Sequence, residues 1–306
     1  MLHELVVGTR GSDLALAQTK LASEAIGWLR PEVGLVPRII RTSGDETTSQ
    51  DLGRAGRKGL FTAEIERALL AREIDVAVHS AKDLPSELAT GTEIAAVLPR
   101  ADAGDILVTR SECDLASLPE KATVATGSVR RKHQLRWQRP DVVVVELRGN
   151  VPTRLRKLHE NQWHGVVLAA AGIARLLNGS PNERFSFDGR DYFLSRLSGE
   201  IFVPAGGQGV IALQVRGGDK HVRSVIEMAD DPETHVCLRA EREFLRLLQA
   251  DCNCPIGVFA HLGDGNLKMR AQIFSTDRSA PVEAFVEGPP NPETIAAELF
   301  GKIHGS

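Results

Sequence analysis

Several things are scarce in this chain of 306 residues. It has four cysteines, one tyrosine and only 5% aromatic residues. Four cysteines at this length are too few for the disulfide scaffold of a small secreted protein. No pair shows the Cys-x-x-Cys spacing of a zinc or redox site, and Cys252 with Cys254 supplies only half of a tetrahedral shell, so no metal is expected. Cys113 and Cys237 read as small buried apolar residues. No apolar run approaches the roughly 20 residues of a membrane span, and Met1 to Val7 lacks a basic region followed by a signal core. A net charge of -3 gives no general attraction for nucleic acid or anionic membrane. Walker and Gly-x-Gly-x-x-Gly loops are both missing, which argues against mononucleotides. These absences leave a cytoplasmic globular protein whose partner is a small molecule.

With 42% apolar and 25% charged residues, the composition is that of an ordinary soluble chain, and the length predicts two or three domains. Strands and helices alternate from the start. Leu5 to Val7 reads as a strand, followed by a helix from Asp13 that Ser12 can cap. Val36 to Ile40 is the next strand. The polar, glycine-rich stretch from Thr42 to Gly59 has no periodicity and reads as a lid or a disordered loop. A helix through Phe61, Ile65 and Leu69 leads to a strand at Ile74 to Val78, and Pro85 prevents an immediate helix after it. Ile94 to Leu98 and Ile106 to Thr109 follow, with a crossover between them.

A second α/β unit comes next. It has strands at Thr123 to Ala125, Val142 to Leu147 (a run of valines, apolar but for Glu146, and read as buried) and Val166 to Leu168. Its helices carry Arg130, Arg131, Arg136 and Arg154. Residues 178 to 200 read as irregular. Val210 to Val215 is a strand returning to the first unit. Asp231-Pro232-Glu233 starts a helix expected to run to about Gln249, stopped by Pro255. Strands around Asp264-Gly265, a third strand and a closing helix complete the chain.

Val7-Gly8-Thr9-Arg10-Gly11-Ser12 and Val124-Ala125-Thr126-Gly127-Ser128 use one device, a strand ending in a Thr and a Ser before a helix. This weak repeat predicts two similar lobes facing across a cleft. The expected fold is therefore α/β, with two periplasmic-binding-protein-like lobes of mixed sheet and a small α+β C-terminal domain. Residues 1–99 with 204–227 make the first lobe, 104–203 the second, and 228–306 the last domain.

Arg10 with Ser12, Thr126 and Ser128 with Arg130 and Arg131, Arg148 and Arg154 lie just after strands, where α/β sites form. Helix N-termini with hydroxyls and arginines hold anions, so a ligand with several carboxylates or phosphates is implied. The plainer alternative is that these arginines pair with local acids. Lys82-Asp83 shares that edge; its carboxylate suits a developing cation or a proton shuttle, or else a simple pairing with Lys82. Lys58 reads as a solvated loop lysine. Cys252 has no neighbouring base for a catalytic thiolate and stays ambiguous on residues alone.

Eight segments then carry a resemblance. They are Thr9 to Gln18, Lys58 to Phe61, Val78 to Pro85, Gly127 to Arg131, Leu147 to Val151, Thr153 to Leu155, Gly207 to Gly209 and Cys252 to Gly257. In order and over nearly the whole chain, the sequence resembles the porphobilinogen deaminase (hydroxymethylbilane synthase) family of tetrapyrrole biosynthesis. The resemblance implies a dipyrromethane cofactor held by a thioether to Cys252, and Asp83 as the catalytic group assisting loss of ammonia from porphobilinogen. It implies stepwise addition of four porphobilinogens and hydrolytic release of hydroxymethylbilane by a monomer. Lys58, Ser80, Lys82, Asp83, Thr126, Ser128, Arg130, Arg131 and Gly149 would contact the cofactor. Arg10, Ser12, Gln18, Phe61, Arg148, Arg154 and Arg175 would bind substrate or its carboxylates. The chain departs from the family in Ala250-Asp251, where glycines are usual, and in Cys254, which replaces an apolar residue. The rival reading is a non-enzymatic two-lobed binding protein for a small anion. It explains the lobes and arginines but leaves Lys82-Asp83 and the cysteine-bearing domain without a purpose.

Overall fold

A computed structural model describes residues 4–42, 62–179, 183–250, 254–275 and 280–305. In chain order the first stretch contains β1 (Glu4–Thr9), α1 (Asp13–Leu29), β2 (Gly34–Ile39), α2 (Ala63–Leu70), β3 (Val76–Ser80), a 3-10 turn (Ala81–Asp83) and β4 (Thr92–Val97). Then come β5 (Asp105–Thr109), β6 (Thr123–Ala125), α3 (Val129–Gln138), β7 (Val143–Val145), α4 (Val151–Glu160), β8 (Gly165–Ala169), α5 (Ala170–Leu176), β9 (Arg184–Phe187) and β10 (Arg190–Arg196). The chain ends with β11 (Ile211–Arg216), α6 (Lys220–Ile226), α7 (Pro232–Leu247), β12 (Ile256–Gly263), β13 (Asn266–Ile273), β14 (Val282–Gly288) and α8 (Pro292–His304). Side-chain caps set six helix starts: Ser12, Ser128, Asn150, Asp219, Asp231 and Asn291 each accept from the backbone N–H three residues on.

The expected mixed α/β lobes with a small α+β domain are what the chain forms. One sheet has the order β2-β1-β3-β11-β4 and the other β7-β6-β8-β5-β10-β9. Both follow one plan. A parallel trio has its first strand in the middle, and an antiparallel strand inserts beside the third. The inserted strands, β11 and β5, are those that follow the two crossings between lobes. Because they run antiparallel, each begins where the parallel strands end: Ile211 pairs with Ser80 and Asp105 with Ala169. Both crossings are thus delivered to the carboxyl edges of the sheets, where α/β proteins build sites.

Three local expectations differ from the structure. β7 is an edge strand of three residues rather than a buried one, and Val143 is 48% exposed. Residues 184–196 form a hairpin rather than irregular chain. Its turn, Asp188-Gly189, takes positive φ at both positions, and Phe185 stacks on the fully buried Tyr192 with ring centroids 5.1 Å apart. Helix α7 ends by Gln249 adopting φ 51° while Ala250 N–H reaches the Leu245 carbonyl at 3.0 Å. That is a Schellman-type stop, and it acts before Pro255 is reached.

In the last domain α7 and α8 cover one face of the β12-β13-β14 sheet around Phe244, Met269 and Leu299. Cys237 lies in this core, 5% exposed, as expected. The domain leans on both lobes. Gln134 of α3 donates to Gln272 at 2.7 Å, and Trp137 meets Phe274 edge-on. Glu241, with a side chain 0% exposed, takes both arms of Arg100 (2.7 and 3.1 Å) and the N–H groups of Gly207 and Ala260. Arg100 lies at the start of the first crossing and Gly207 on the second, so one carboxylate fastens the domain to both connections.

Breaking such a pair leaves a buried charge unmatched, which costs about 3–5 kcal/mol. Glu241→Leu is expected to lower stability by that amount in urea unfolding. A cost below about 1 kcal/mol would refute the assignment.

Candidate functional site

The carboxyl ends of β3, β6 and β8 and the starting ends of β5 and β11 meet between the lobes. α1 of the first lobe packs near α5 of the second, and Arg175 of α5 donates to the carbonyl of Gly209 at 2.6 Å. Strand β3 carries Ser80, Lys82 and Asp83 into this cleft. It is fully buried up to His79, whose ring bonds Gln214 of β11 at 2.9 Å. Gln214 donates its own amide protons to Glu66 and Thr92, so its oxygen accepts and His79 donates. Burial holds His79 at about 4, leaving it neutral near pH 7. Gln18, 3% exposed on α1, donates to the Ser80 hydroxyl at 2.8 Å.

On the opposite lobe the turn Thr126-Gly127-Ser128 opens α3. A Cβ at Gly127 would stand 2.4 Å from the Leu147 carbonyl, so only glycine fits there. Both hydroxyls are used locally: Thr126 accepts from Ser128 N–H at 3.3 Å, and Ser128 from Arg131 N–H at 3.4 Å. Gly149 has φ 112° with Thr153 pressed against it, which lets Asn150 cap α4.

For several of the arginines the alternative of pairing with an acid or a carbonyl is what the structure shows. Arg130 and Arg131 are 4% and 5% exposed and share the buried carboxylate of Asp105. Arg130 reaches one oxygen at 2.7 Å, and Arg131 the other through Nε (3.0 Å) and Nη2 (2.7 Å). Arg130 also donates to the Val203 carbonyl, and its Nε is buried without a hydrogen-bond partner. Burial alone would push the Asp105 carboxyl up; the two guanidinium groups overcome it and hold the carboxyl well below the usual range. Arg148 forms an exposed pair with Glu146 at 2.8 Å, and Arg175 is committed to Gly209. Ser12 caps α1 through Ala15 N–H, and Arg10 follows β1 at the same edge.

Positive charge nevertheless exceeds negative. Lys82 is brought down to about 8, by burial first and then by Arg131. Arg154 is brought to about 10 by burial, with Arg131 and Arg148 adding to the shift. Asp83, exposed, opposes both shifts and so lies near both groups. No ion pair within 4 Å joins Lys82 to Asp83 among the described residues, which sets aside the simple-pairing alternative. Among the described residues, Lys82, Arg130, Arg131 and Arg154, with Arg148 beside them, thus face Asp83, Asp105 and Glu146. Such an arrangement suits a ligand bringing several carboxylates, and the orphaned Nε of Arg130 is one donor still to be met.

Residues 5–224 match the family model described as "Porphobilinogen deaminase, dipyromethane cofactor binding domain", and residues 235–303 match "Porphobilinogen deaminase, C-terminal domain". The chain belongs to the porphobilinogen deaminase family. It is 42% identical to the porphobilinogen deaminase of Syntrophobacter fumaroxidans over 93% of this chain and 88% of that one. With the Thermus thermophilus protein of that name it shares 43% over 94% and 90% of the two chains, and with that of Desulforudis audaxviator 40% over 99% and 95%. These likenesses favour the enzyme reading over a simple binding protein.

Lys58, Phe61 and Cys252 lie outside the described residues, as do the Thr42 to Gly59 reading beyond Thr42 and the Asp251 departure. Two central residues were not singled out from sequence. Asp105 was passed over as part of the crossing, although a lone acid opening an apolar strand is a signal. Gln208 stands within the Gly207 to Gly209 motif, which by itself gives the amide no role.

As pH rises through about 8, Lys82 loses its proton while the arginines keep theirs, so the cleft loses one cation. Affinity for a tricarboxylate such as citrate, measured by calorimetry, is expected to fall about tenfold between pH 7 and 9. Lys82→Met should flatten that dependence; an unchanged slope would remove Lys82 from the anion site.

Proposed function

We propose that this chain joins porphobilinogen units into a linear tetrapyrrole, using the interlobe cleft as its site and Cys252 as the anchor of a dipyrromethane cofactor. The observation that carries this reading is the excess of fixed cations around the exposed carboxylate of Asp83. Each pyrrole unit brings two carboxylates, so a growing chain needs many cations and little else from the walls.

The donor set fits the cofactor. Lys82, Arg131 and Arg154 are the cleft cations, Ser80 and Ser128 offer hydroxyls at the same edge, and Arg130 has an unmet donor. Lys58, Thr126 and Gly149 complete the proposed contacts, and Arg10, Ser12, Gln18, Phe61, Arg148 and Arg175 are proposed for the substrate side. When bound through a thioether to Cys252, the dipyrromethane supplies the free pyrrole carbon on which chain growth begins. We assign the substrate-binding and catalytic parts to the two lobes, residues 1–99 with 204–227 and 104–203, and the anchor to residues 228–306.

In each addition the C–N bond of the porphobilinogen aminomethyl group breaks, ammonia leaves, a C–C bond forms and a proton is lost from the attacked pyrrole. Departure of ammonia leaves positive charge on the substrate ring. Asp83 is the carboxylate placed to stabilise that charge through the pyrrole N–H, and to take up the released proton. Lys82 and Arg154 beside it bind the substrate's carboxylates. Four additions followed by hydrolysis give hydroxymethylbilane. An anchor of this kind needs access rather than a resident base, which agrees with a cysteine lacking one. Its flanks are fixed: Ala250 is tied to Leu245, and the Pro255 carbonyl accepts from Phe274 N–H at 3.1 Å.

Intact-protein mass spectrometry tests the anchor. Protein made in cells with substrate available should carry the extra mass of two linked pyrroles, lost in Cys252→Ser and kept in Cys254→Ser. An unmodified wild-type protein would sink the reading. Asp83→Asn should stay folded and lose ammonia release by roughly 10²–10⁴-fold; near-normal turnover would take Asp83 out of its role.

A further inference from the structure

Gln208 lies on the second crossing between the lobes, 1% exposed. Its side-chain amide uses all four of its hydrogen-bonding positions. Nε2 donates to the Ala103 carbonyl at 2.6 Å and to Asp105 Oδ1 at 2.8 Å. Oε1 accepts from Arg131 Nη2 at 3.2 Å and from Lys82 Nζ at 3.4 Å. The orientation follows from these partners, because a flipped amide would set its N–H groups against two cations and its oxygen against a carbonyl and a carboxylate.

The backbone is held as closely as the side chain. Gly207 and Gly209 on either side take φ 74° and 88°. A Cβ on Gly207 would stand 2.9 Å from the backbone of Ala81 and Lys82, and one on Gly209 2.4 Å from the Ala101 carbonyl. The Gln208 carbonyl accepts from Arg100 Nε at 2.9 Å, and Gly207 N–H donates to Glu241 at 2.7 Å. One residue therefore touches the Lys82 turn of the first lobe, Asp105 and Arg131 of the second, and the ion pair that fastens the third domain.

We propose that Gln208 is a positioning residue whose amide holds Lys82 of one lobe and Arg131 of the other on a single oxygen, so that both lobes present their cations to the cleft in one fixed register. The inference rests on the reading of the cleft as a site for pyrrole carboxylates. A neutral acceptor is what this task requires. It orients two cations without cancelling their charge, which stays available to an anionic ligand. The isosteric glutamate would neutralise them and turn a carboxylate toward Asp105 where the amide now donates.

The test follows the Lys82 ammonium directly, by NMR titration of its side chain, with the signal assigned from Lys82→Arg. It uses full-length protein carrying Cys252→Ser, so that no covalent group occupies the cleft. The charged groups facing Lys82 are Asp83 on its own turn, Arg130 and Arg131 on α3 and Asp105 on β5. Gln208→Glu adds an anion and is expected to raise the Lys82 midpoint by about one unit or more. Gln208→Met removes the acceptor and should lower it. In the Cys252-containing enzyme both variants should raise KM for porphobilinogen by about tenfold while changing kcat less, since ground-state orientation is what is lost.

Unmoved Lys82 midpoints in both variants, or shifts of the same sign, would overturn the inference. So would a loss confined to kcat. Should Gln208→Met fail to fold, because Ala103 and Asp105 lose their donor, the shift in Gln208→Glu decides alone. A wild-type protein that does not consume porphobilinogen would instead overturn the functional reading, and the titrations would still decide the place of Gln208.

Discussion

The structure depends on one buried carboxylate. Asp105 opens β5 at the end of the first crossing and is shared by Arg130 and Arg131, with none of its side chain exposed. A single buried ion pair seldom stabilises much, because desolvation offsets attraction. Two guanidinium groups on one carboxylate are a different case. The acid is held ionised, both arginines are fixed in place, and one positive charge remains uncompensated inside the protein. That surplus is tolerable only at a place where anions arrive. Stability and the charge of the proposed site thus come from the same three side chains.

The topology explains why the charges collect there. Each sheet inserts one antiparallel strand beside its parallel trio, and the inserted strands start at the carboxyl edge. Asp105 therefore stands level with the end of β8, and Gln208 to Val210 level with Ser80. Parallel strands deliver Lys82 and Asp83 to the edge from one lobe and the α3 arginines from the other. The two crossings supply the acid and the amide that organise them. Glu241 then grips both crossings through Arg100 and Gly207, so the domain proposed to carry the cofactor anchor is fastened to the connections themselves rather than to one lobe alone.

Much of this plan was legible in the residues. Caps at Ser12, Ser128 and Asp231, the Asp264-Gly265 hairpin and the repeated Thr/Ser turns each follow from short-range chemistry, and each appears where expected. The edge position of β7 was not legible, because an apolar run of valines reads as buried whether or not a neighbour covers it. The 184–196 hairpin was missed although Asp188-Gly189 offered a turn signal. At the cleft, sequence pointed to a set of cations and left open whether they pair with acids. Arg130 and Arg131 find their acid 25 and 26 positions away, and Arg175 finds a carbonyl on the other crossing. Such partners follow from sheet order, not from local spacing.

The state of those arginines changes how the cleft discriminates between ligands. A site lined by free guanidinium groups would take any polyanion, phosphates included. Here Arg131 has already given most of its donors to Asp105, Gln208 and a backbone carbonyl, and Arg130 has committed Nη1 to Asp105, Gln134 and the Val203 carbonyl, so neither guanidinium is wholly free. Lys82 and Arg154 carry depressed pKa values because they are crowded by burial and by like charge. Each added carboxylate relieves that crowding, so the site favours several singly charged groups spread along a chain over one compact, highly charged group. A string of pyrroles with pendant carboxylates is that kind of ligand. Asp83, an exposed acid among these cations, is the group proposed for the one part of the substrate that becomes positive.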